Sequence, residues 1–416
     1  MQILNSELAQ KHSQQALHNC HQLAQISEMT NGILRQYLTD KHKACHQQVA
    51  NWMVDAGLTV WQDQVGNQWG RLASQHQNAP RLILGSHLDT VPNAGAYDGI
   101  LGVMLGLELA KLAQSQQLDL PFHLDIVGFA DEEGTRFATT LIGSKALAGQ
   151  FSPQWLSIKD ANGISMEEAL QTFGLNPNEV HNAALNPAEI IQYWEIHIEQ
   201  GPVLEAQHHS LGVVSAIAGA KRAIISYQGQ TGHAGTTPMN LRRDALAACA
   251  ELSLAIEQIA LACTNQEVAT VGAIKAKPGA TNVIAGLSEM TLDARAQQDS
   301  DLTALLNKIE TAAQTIANKR QLTLDWQWTH QAKAVQCAPQ VQQLFSAACE
   351  INQLAAPVLP SGAGHDAMAI AEICPVGMLF IRSPKGISHH PDEAVIESDV
   401  TDAIKVMYSA LSYYQN

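Results

Sequence analysis

The sequence predicts an α/β protein in which an α+β domain of β-α-β-β-α-β order is inserted into a mostly parallel-sheet domain. Three observations carry this. An apolar run at Arg81 to Gly85, a helix from Gly99 to about Gln114 and a second apolar run from Phe122 to Ala130 follow the β-α-β order of a parallel sheet covered by helices. Several strand-like runs end in a histidine or an acidic residue beside Gly or Pro. Between about residues 212 and 328 the pattern changes to short strands alternating with two helices, a self-contained α+β unit. The expected division is 1–211, 212–329 and 330–416, the middle segment being the insertion.

In chain order, residues 5 to 57 read as helical, because Ala44, Cys45, Val49, Trp52, Met53 and Ala56 recur at helical spacing and Gly57 suits a left-handed cap. Short strands are expected at Leu58 to Trp61 and Gln68 to Leu72, then the strand that delivers His87. After Phe122 to Ala130 comes Asp131-Glu132-Glu133-Gly134, then a polar stretch of weak helices. Ile191 to Ile198 forms the next strand and ends in His197-Ile198-Glu199-Gln200-Gly201-Pro202. The insertion reads as strands at 212–217 and 222–229, a helix from about Asn240 to Ala262, strands at 268–276 and 283–296, a helix from about Asp301 to Lys319 and a strand at 321–328. The last segment holds Leu359 to Asp366, an apolar strand Val376 to Ile381, the loop Gly386 to Glu393 and a terminal amphipathic helix.

Composition bounds the partners. A net charge of -15 offers no basic stripe to neutralise phosphates, which argues against nucleic acid or an anionic membrane. The most apolar stretch, Ile100 to Ala113, is interrupted by Glu108 and Lys111 and is too short to span a bilayer. The seven cysteines form no Cys-x-x-Cys pair and their number is odd, as in a reduced, cytoplasmic protein, and Met1 to Glu7 lacks the basic and apolar segments of a secretory signal.

The chemistry gathers at strand ends, where open α/β sheets place their sites. Neutral imidazole and carboxylate oxygen are ligands for zinc, manganese and related divalent ions, and one carboxylate can bridge two of them. His87, Asp98, Glu133, His197 and one of His389 or His390 supply one bridge and two ligands per ion. The Glu132-Glu133 doublet follows an apolar strand, so its side chains diverge: one can bind metal while the other moves a proton, as a general base must not be consumed as a ligand. Asp89 suits either orienting the His87 ring or stabilising the turn before Pro92. Gly-x-Ser-x-Gly, His-Glu-x-x-His and Walker patterns are absent, and Gly362-x-Gly364-x-x-Ala367 lacks the strand and distal acid of a dinucleotide fingerprint.

With these residues in hand, the chain resembles the amidase, hydantoinase and carbamoylase branch of the M20 metallopeptidase family, which includes N-carbamoyl-L-amino acid hydrolases, allantoate amidohydrolases and β-ureidopropionases. The segments that carry the likeness are Ile26 to Glu28, Arg35 to Leu38, Gly85 to Gly102, Asp131 to Phe137, His197 to Glu205, Gly232 to Met239, Thr281 to Ile284, Asp293 to Arg295, Ser361 to Asp366 and Gly386 to Glu393. The resemblance implies two divalent ions per subunit, zinc or manganese with cobalt or nickel open. It implies His87 and His197 on opposite sides of a bridging Asp98, Glu133 as the other carboxylate ligand, Glu132 as the base and His389 rather than His390 as the last ligand. It makes the insertion a lid and dimerisation domain of a homodimer. There His233 would steady an oxyanion and Asn282 and Arg295 would hold a substrate carboxylate; Gln200, Gly362 and Ala363 would also meet the substrate. Taken alone, Arg295 at a strand end reads as a surface ion pair. The activity implied is hydrolysis of the ureido C–N bond of a small carboxylate, allantoate or an N-carbamoyl-L-amino acid. The alternatives are 3-ureidopropionate, an acylated amino acid or dipeptide, and, remotely, a non-catalytic binding protein. His365, Asp366 and His390 have no role assigned.

Overall fold

The computed structural model describes residues 1–414, so the last two residues of the expected 330–416 segment lie outside the described residues. The chain forms two compact units. The first comprises Met1–Ser215, Cys337–Leu359 and the chain from Gly364; the second comprises Ala216–Gln336 and Pro360–Ala363.

The first unit begins with helices α1 (Ser6–Ala24) and α2 (Asp40–Asp55). The single helical region expected over 5–57 is broken between them. The reason is Arg35, whose buried guanidinium donates from Nη1 to the carbonyls of Leu23 and Ile26 at 3.0 Å each and from Nε to that of Leu88 at 2.8 Å. Leaving the helix lets one side chain satisfy the carbonyls at the end of α1 and pin the segment beyond His87. Thr39 then restarts the helix by accepting the amide of His42 at 3.2 Å.

The sheet contains β1 (Thr59–Gln62), β2 (Gln68–Leu72), β3 (Arg81–His87), β4 (His123–Phe129), β5 (Ile190–Ile198), β6 (Leu211–Ile217) and the strand Val376–Ile381. Its order is β1-β2-β4-β3-β5, then Val376–Ile381, then β6. The four central strands are parallel, with Leu84 opposite Ile126 and Trp194, and Ile198 opposite Ile381; β1, β2 and β6 pair antiparallel at the margins. Parallel strands buried on both faces read as continuous apolar runs, which is why these were visible in the sequence. Their carboxyl ends share one edge, and β3, β4 and β5 end within three residues of His87, Glu132 and His197.

Between β3 and β4 runs helix α3 (Ile100–Ser115), apolar on every side and buried from Ile100 to Ala110. Two glycines set its approach. Gly99 has φ +75° and lies against the His87 ring, while a methyl on Gly102 would overlap the carbonyl oxygen of Ile196.

The second unit is a five-stranded antiparallel sheet in the order Ile274–Lys277, Leu287–Ala296, Gly219–Gln228, Thr323–Ala332, with Val268–Thr270 also pairing to Leu287–Ala296. Helices Ala245–Leu261 and Asp299–Arg320 cover one face, packing Leu252, Ile256, Leu305 and Ile309 on Ile225, Tyr227, Met290 and Leu292. The continuous strand expected at 283–296 is interrupted: Val283–Ile284 pairs instead with Gly232–His233, and Gly286 makes the break. The strand expected at 268–276 is likewise two short ones.

The close approach at Gly102 yields a stability test. Gly102→Ala destabilises the protein by about 2 kcal/mol or more in urea denaturation, because backbone cannot yield. Gly106→Ala, whose new methyl meets Ile126 Cγ2 at 3.2 Å, stays within about 1 kcal/mol of wild type, because a side chain gives way and alanine favours the helix. Equal effects at both sites refute the account.

Candidate active site

Asp98, at the head of α3, is the centre of the cluster. Its Oδ1 lies 3.2 Å from His197 Nε2 and 3.8 Å from His87 Nε2; its Oδ2 lies 3.2 Å from His389 Nε2, and His389 is 3.6 Å from Glu133 Oε1. The likeness placed His87 and His197 on opposite sides of the bridge. The geometry corrects this: both face Oδ1, and His389 with Glu133 stands on the Oδ2 side, because β3 and β5 are neighbouring strands while His389 arrives from a loop.

The donor set fits metal. His87, Asp98 and His197 bring ligand atoms within 4.8 Å of one another, and so do Asp98, Glu133 and His389, the two groups sharing Asp98. Asp98 Oδ1 is buried with no hydrogen-bond donor among the described residues, an arrangement a cation completes.

Supporting groups orient each ligand. His87 Nδ1 donates to the backbone carbonyl of Asp89 at 3.0 Å and His197 Nδ1 to that of Ile198 at 2.9 Å, so in both rings Nε2 is the free electron pair facing Asp98. The Asp89 carboxylate, 3.5 Å from His87, chiefly accepts the amides of Glu132 at 3.0 Å and Glu133 at 3.1 Å. It therefore organises the acidic doublet, while its backbone organises the imidazole. Glu132 and Glu133 reach within 4.8 Å of His87 as a third group.

The electrostatics follow from burial. Burial and then the Glu133 charge push the Glu132 carboxyl well above its usual range, and burial raises Glu133 to about 7. Asp98 goes the other way: against burial, the facing His197 and His389 imidazoles hold it well below. His389 is raised to about 8 by its bond to Asp98. Against burial, Asp89 raises His87 and Asp98 raises His197.

Gln200, expected at the substrate, is tied to Asp98: Nε2 lies 3.0 Å from Oδ2, on a backbone with φ 57°. Two residues without an assigned role prove central. Ser388 Oγ sits 3.1 Å from Asp98 Oδ2 and 3.0 Å from Glu393 Oε2, and Glu393 Oε1 accepts the amides of Tyr97 at 2.9 Å and Asp98 at 3.1 Å. Both lie in the Gly386 to Glu393 segment, so motif membership was the available signal. Glu195, fully buried, receives the Ala367 amide at 3.0 Å and faces His197 and His365. His365 meets the His197 ring edge-on at 4.5 Å, and Asp366 is buried beside this layer. His390 is exposed and pairs with Asp392.

In the second unit, His233 is exposed and its Nδ1 accepts the Gly235 amide at 3.1 Å; the neighbouring Ala234 amide bonds the Asn282 carbonyl at 2.9 Å, so His233 and Asn282 share one locality. Arg295 forks onto Asp293 and donates to the Gly362 carbonyl at 2.5 Å, while the Ala363 amide bonds Ser361 Oγ at 3.1 Å. The ion pair expected from the strand end is present.

Residues 83–413 match the model of peptidase family M20/M25/M40. The chain belongs to that family. Family membership makes it metal-dependent. Among its relatives, an N-carbamoyl-L-amino-acid amidohydrolase of Pseudomonas sp. is 36% identical over 394 residues, 94% of this chain and 95% of the relative. An allantoate deiminase of Arabidopsis thaliana is 37% identical over 416 residues, 93% of this chain and 79% of the relative. The crystal structure of an amidase of the hydantoinase/carbamoylase family from Burkholderia multivorans superposes with a TM-score of 0.91 at 31% identity, covering 97% of this chain and 98% of that one. The chain is accordingly a hydrolase of carbon–nitrogen bonds. Among the described residues no helix is long and apolar enough to cross a membrane.

Two measurements test the cluster. Glu132, Glu133, Asp131, Asp366, His87, His197 and His389 all bind protons more tightly folded than unfolded, so their contribution to stability is lost as pH rises through their folded values, about 7 for Glu133 and about 8 for His389. Metal-stripped protein therefore unfolds at lower urea concentration at about pH 9 than at about pH 7, and excess divalent metal reverses the order because deprotonated ligands bind it better. A metal-free midpoint that rises with pH contradicts the assignment. In the second measurement, metal content by mass spectrometry falls in His389→Ala and stays at the wild-type level in His390→Ala.

Proposed function

We propose that this protein hydrolyses the ureido C–N bond of a small carboxylate, allantoate or an N-carbamoyl-L-amino acid, using two divalent ions held by His87, Asp98, Glu133, His197 and His389. The observation that carries the reading is the buried Asp98 carboxylate, whose two oxygens serve two separate donor groups, with Glu132 beside them and outside both pairs. Zinc or manganese suits these ligands, with cobalt and nickel as alternatives. Bound there, such ions polarise a carbonyl and bring water toward ionisation near neutral pH.

The chain's own residues do the remainder. Glu132 takes a proton from the attacking water and returns it to the departing nitrogen, a task suited to a carboxyl whose proton affinity burial has raised. Asp89 keeps Glu132 and Glu133 in place through their amides. His233 steadies the developing oxyanion, Asn282 and Arg295 hold the substrate carboxylate, and Gln200, Gly362 and Ala363 complete the contacts. The carbamate released from a ureido substrate decomposes to carbon dioxide and ammonia. We place the enzyme in the cytoplasm as a homodimer formed through the second unit. Exposed Leu246, Leu254 and Leu261 on one helix and the edge strand Ile274–Lys277 support the dimer.

The test is ammonia release by stripped and then manganese- or zinc-reloaded protein, with allantoate, N-carbamoyl-L-amino acids and 3-ureidopropionate compared in parallel. Metal-dependent release from allantoate or an N-carbamoyl-L-amino acid is expected. Glu132→Gln retains wild-type metal content and loses about two to four orders of magnitude in kcat. Silence on every ureido acid by metal-loaded protein would sink the substrate assignment; near-normal turnover in Glu132→Gln would sink the role of Glu132.

A further inference from the structure

Asp293 and Arg295 leave one face of the strand Leu287–Ala296, while the alternate residues Leu292, Ala294 and Ala296 enter the core beneath the helices. Arg222, the cross-strand partner of Asp293, stands on the same face. Asp293 Oδ1 accepts Arg295 Nε at 2.8 Å and Oδ2 accepts Arg295 Nη2 at 2.9 Å; Oδ2 also accepts Arg222 Nε at 2.8 Å. The Gly362 carbonyl takes a third Arg295 donor, from Nη1 at 2.5 Å.

A guanidinium carries five N–H donors in a fixed plane. Asp293 occupies the side edge formed by Nε and Nη2, and Gly362 takes one N–H of Nη1. One donor is left on each terminal nitrogen, and the end edge that these two nitrogens form is the one that grips a carboxylate through two parallel hydrogen bonds. Within this cluster two guanidiniums meet one carboxylate, so the three side chains together carry one excess positive charge.

We infer that Asp293 is a positioning residue for substrate selection, turning Arg295 so that the end edge of its guanidinium is presented to a substrate carboxylate. A neutral amide offers that edge one acceptor and no charge, so the pair distinguishes an acid from its amide. Without Asp293 only the Gly362 carbonyl restrains the Arg295 guanidinium, which can pivot about that single contact, and the fork is no longer held in register.

The inference rests on the assignment of Arg295 to the substrate carboxylate, and the variants separate the two. Steady-state kinetics are measured with the best ureido acid and its primary-amide counterpart. Asp293→Asn is expected to raise KM for the acid roughly tenfold, keep kcat within about twofold and reduce the preference for acid over amide. Asp293→Glu, which keeps the charge but displaces it, shows the same trend and covers the case of an unstable asparagine variant. Arg222→Gln, altered at a residue that touches Asp293 but not Arg295, keeps KM within about twofold. Wild-type KM and acid preference in both Asp293 variants, with Arg295→Lys impaired, overturn the positioning role and leave the carboxylate assignment standing. An unimpaired Arg295→Lys overturns that assignment itself. Equal KM losses in Arg222→Gln and Asp293→Asn, two changes that shift the local charge in opposite directions, reduce the effect to a general disturbance of the cluster and also overturn the inference.

Discussion

One buried carboxylate organises the first unit. Asp98 is almost inaccessible to water, yet imidazoles from β5 and from the loop after Val376–Ile381 lie within 3.2 Å of it and a third, from β3, within 3.8 Å. Holding an ionised group there costs several kcal/mol unless cationic or hydrogen-bonding partners surround it. The surrounding chain supplies them at fixed positions. Glu393 receives the Asp98 and Tyr97 amides, Gln200 and Ser388 approach Oδ2, and Oδ1 is left to the histidines and to a cation.

The same constraint places two adjacent glutamates in different surroundings. Asp89 grips both backbone amides, so the doublet cannot swing as a unit. Glu133 reaches the His389 side of the cluster, whereas Glu132 stands outside the pairs that Asp98 joins. Burial raises both carboxyls, and the cationic imidazoles of His87 and His389 pull Glu133 back toward its ionised form. In the second unit Asp293 stands to Arg295 as Asp89 stands to the doublet, an acidic residue that orders a neighbouring functional group.

Much of this was legible in the sequence. The apolar runs of β3, β4, β5 and Val376–Ile381 gave away a buried parallel sheet, and the residues at their carboxyl ends named the candidate ligands. Less legible were features whose cause is distant in the chain. Residues 25–39 were expected to be helical, but Asn31-Gly32 breaks the run, with Gly32 at φ +120°, and Arg35 ties the segment to the distant Leu88 carbonyl. Nothing local to Gln200 reveals that its amide meets Asp98, 102 positions away. Glu393 looked like the end of a loop motif, although it holds the backbone of Asp98 from 295 positions away.

The sequence by itself determined the class of fold, the segments that form strands and helices, and the chemical inventory of histidines and carboxylates. These follow from local periodicity and from residue type. Only the tertiary structure decided the arrangement: that His87 and His197 share one oxygen of Asp98, that Ser388 and Glu393 brace that carboxylate, and that Arg295 is already bound to Asp293. Each of these depends on which strands become neighbours and on which side chains burial brings within hydrogen-bonding reach, and spacing along the chain does not encode distances across it.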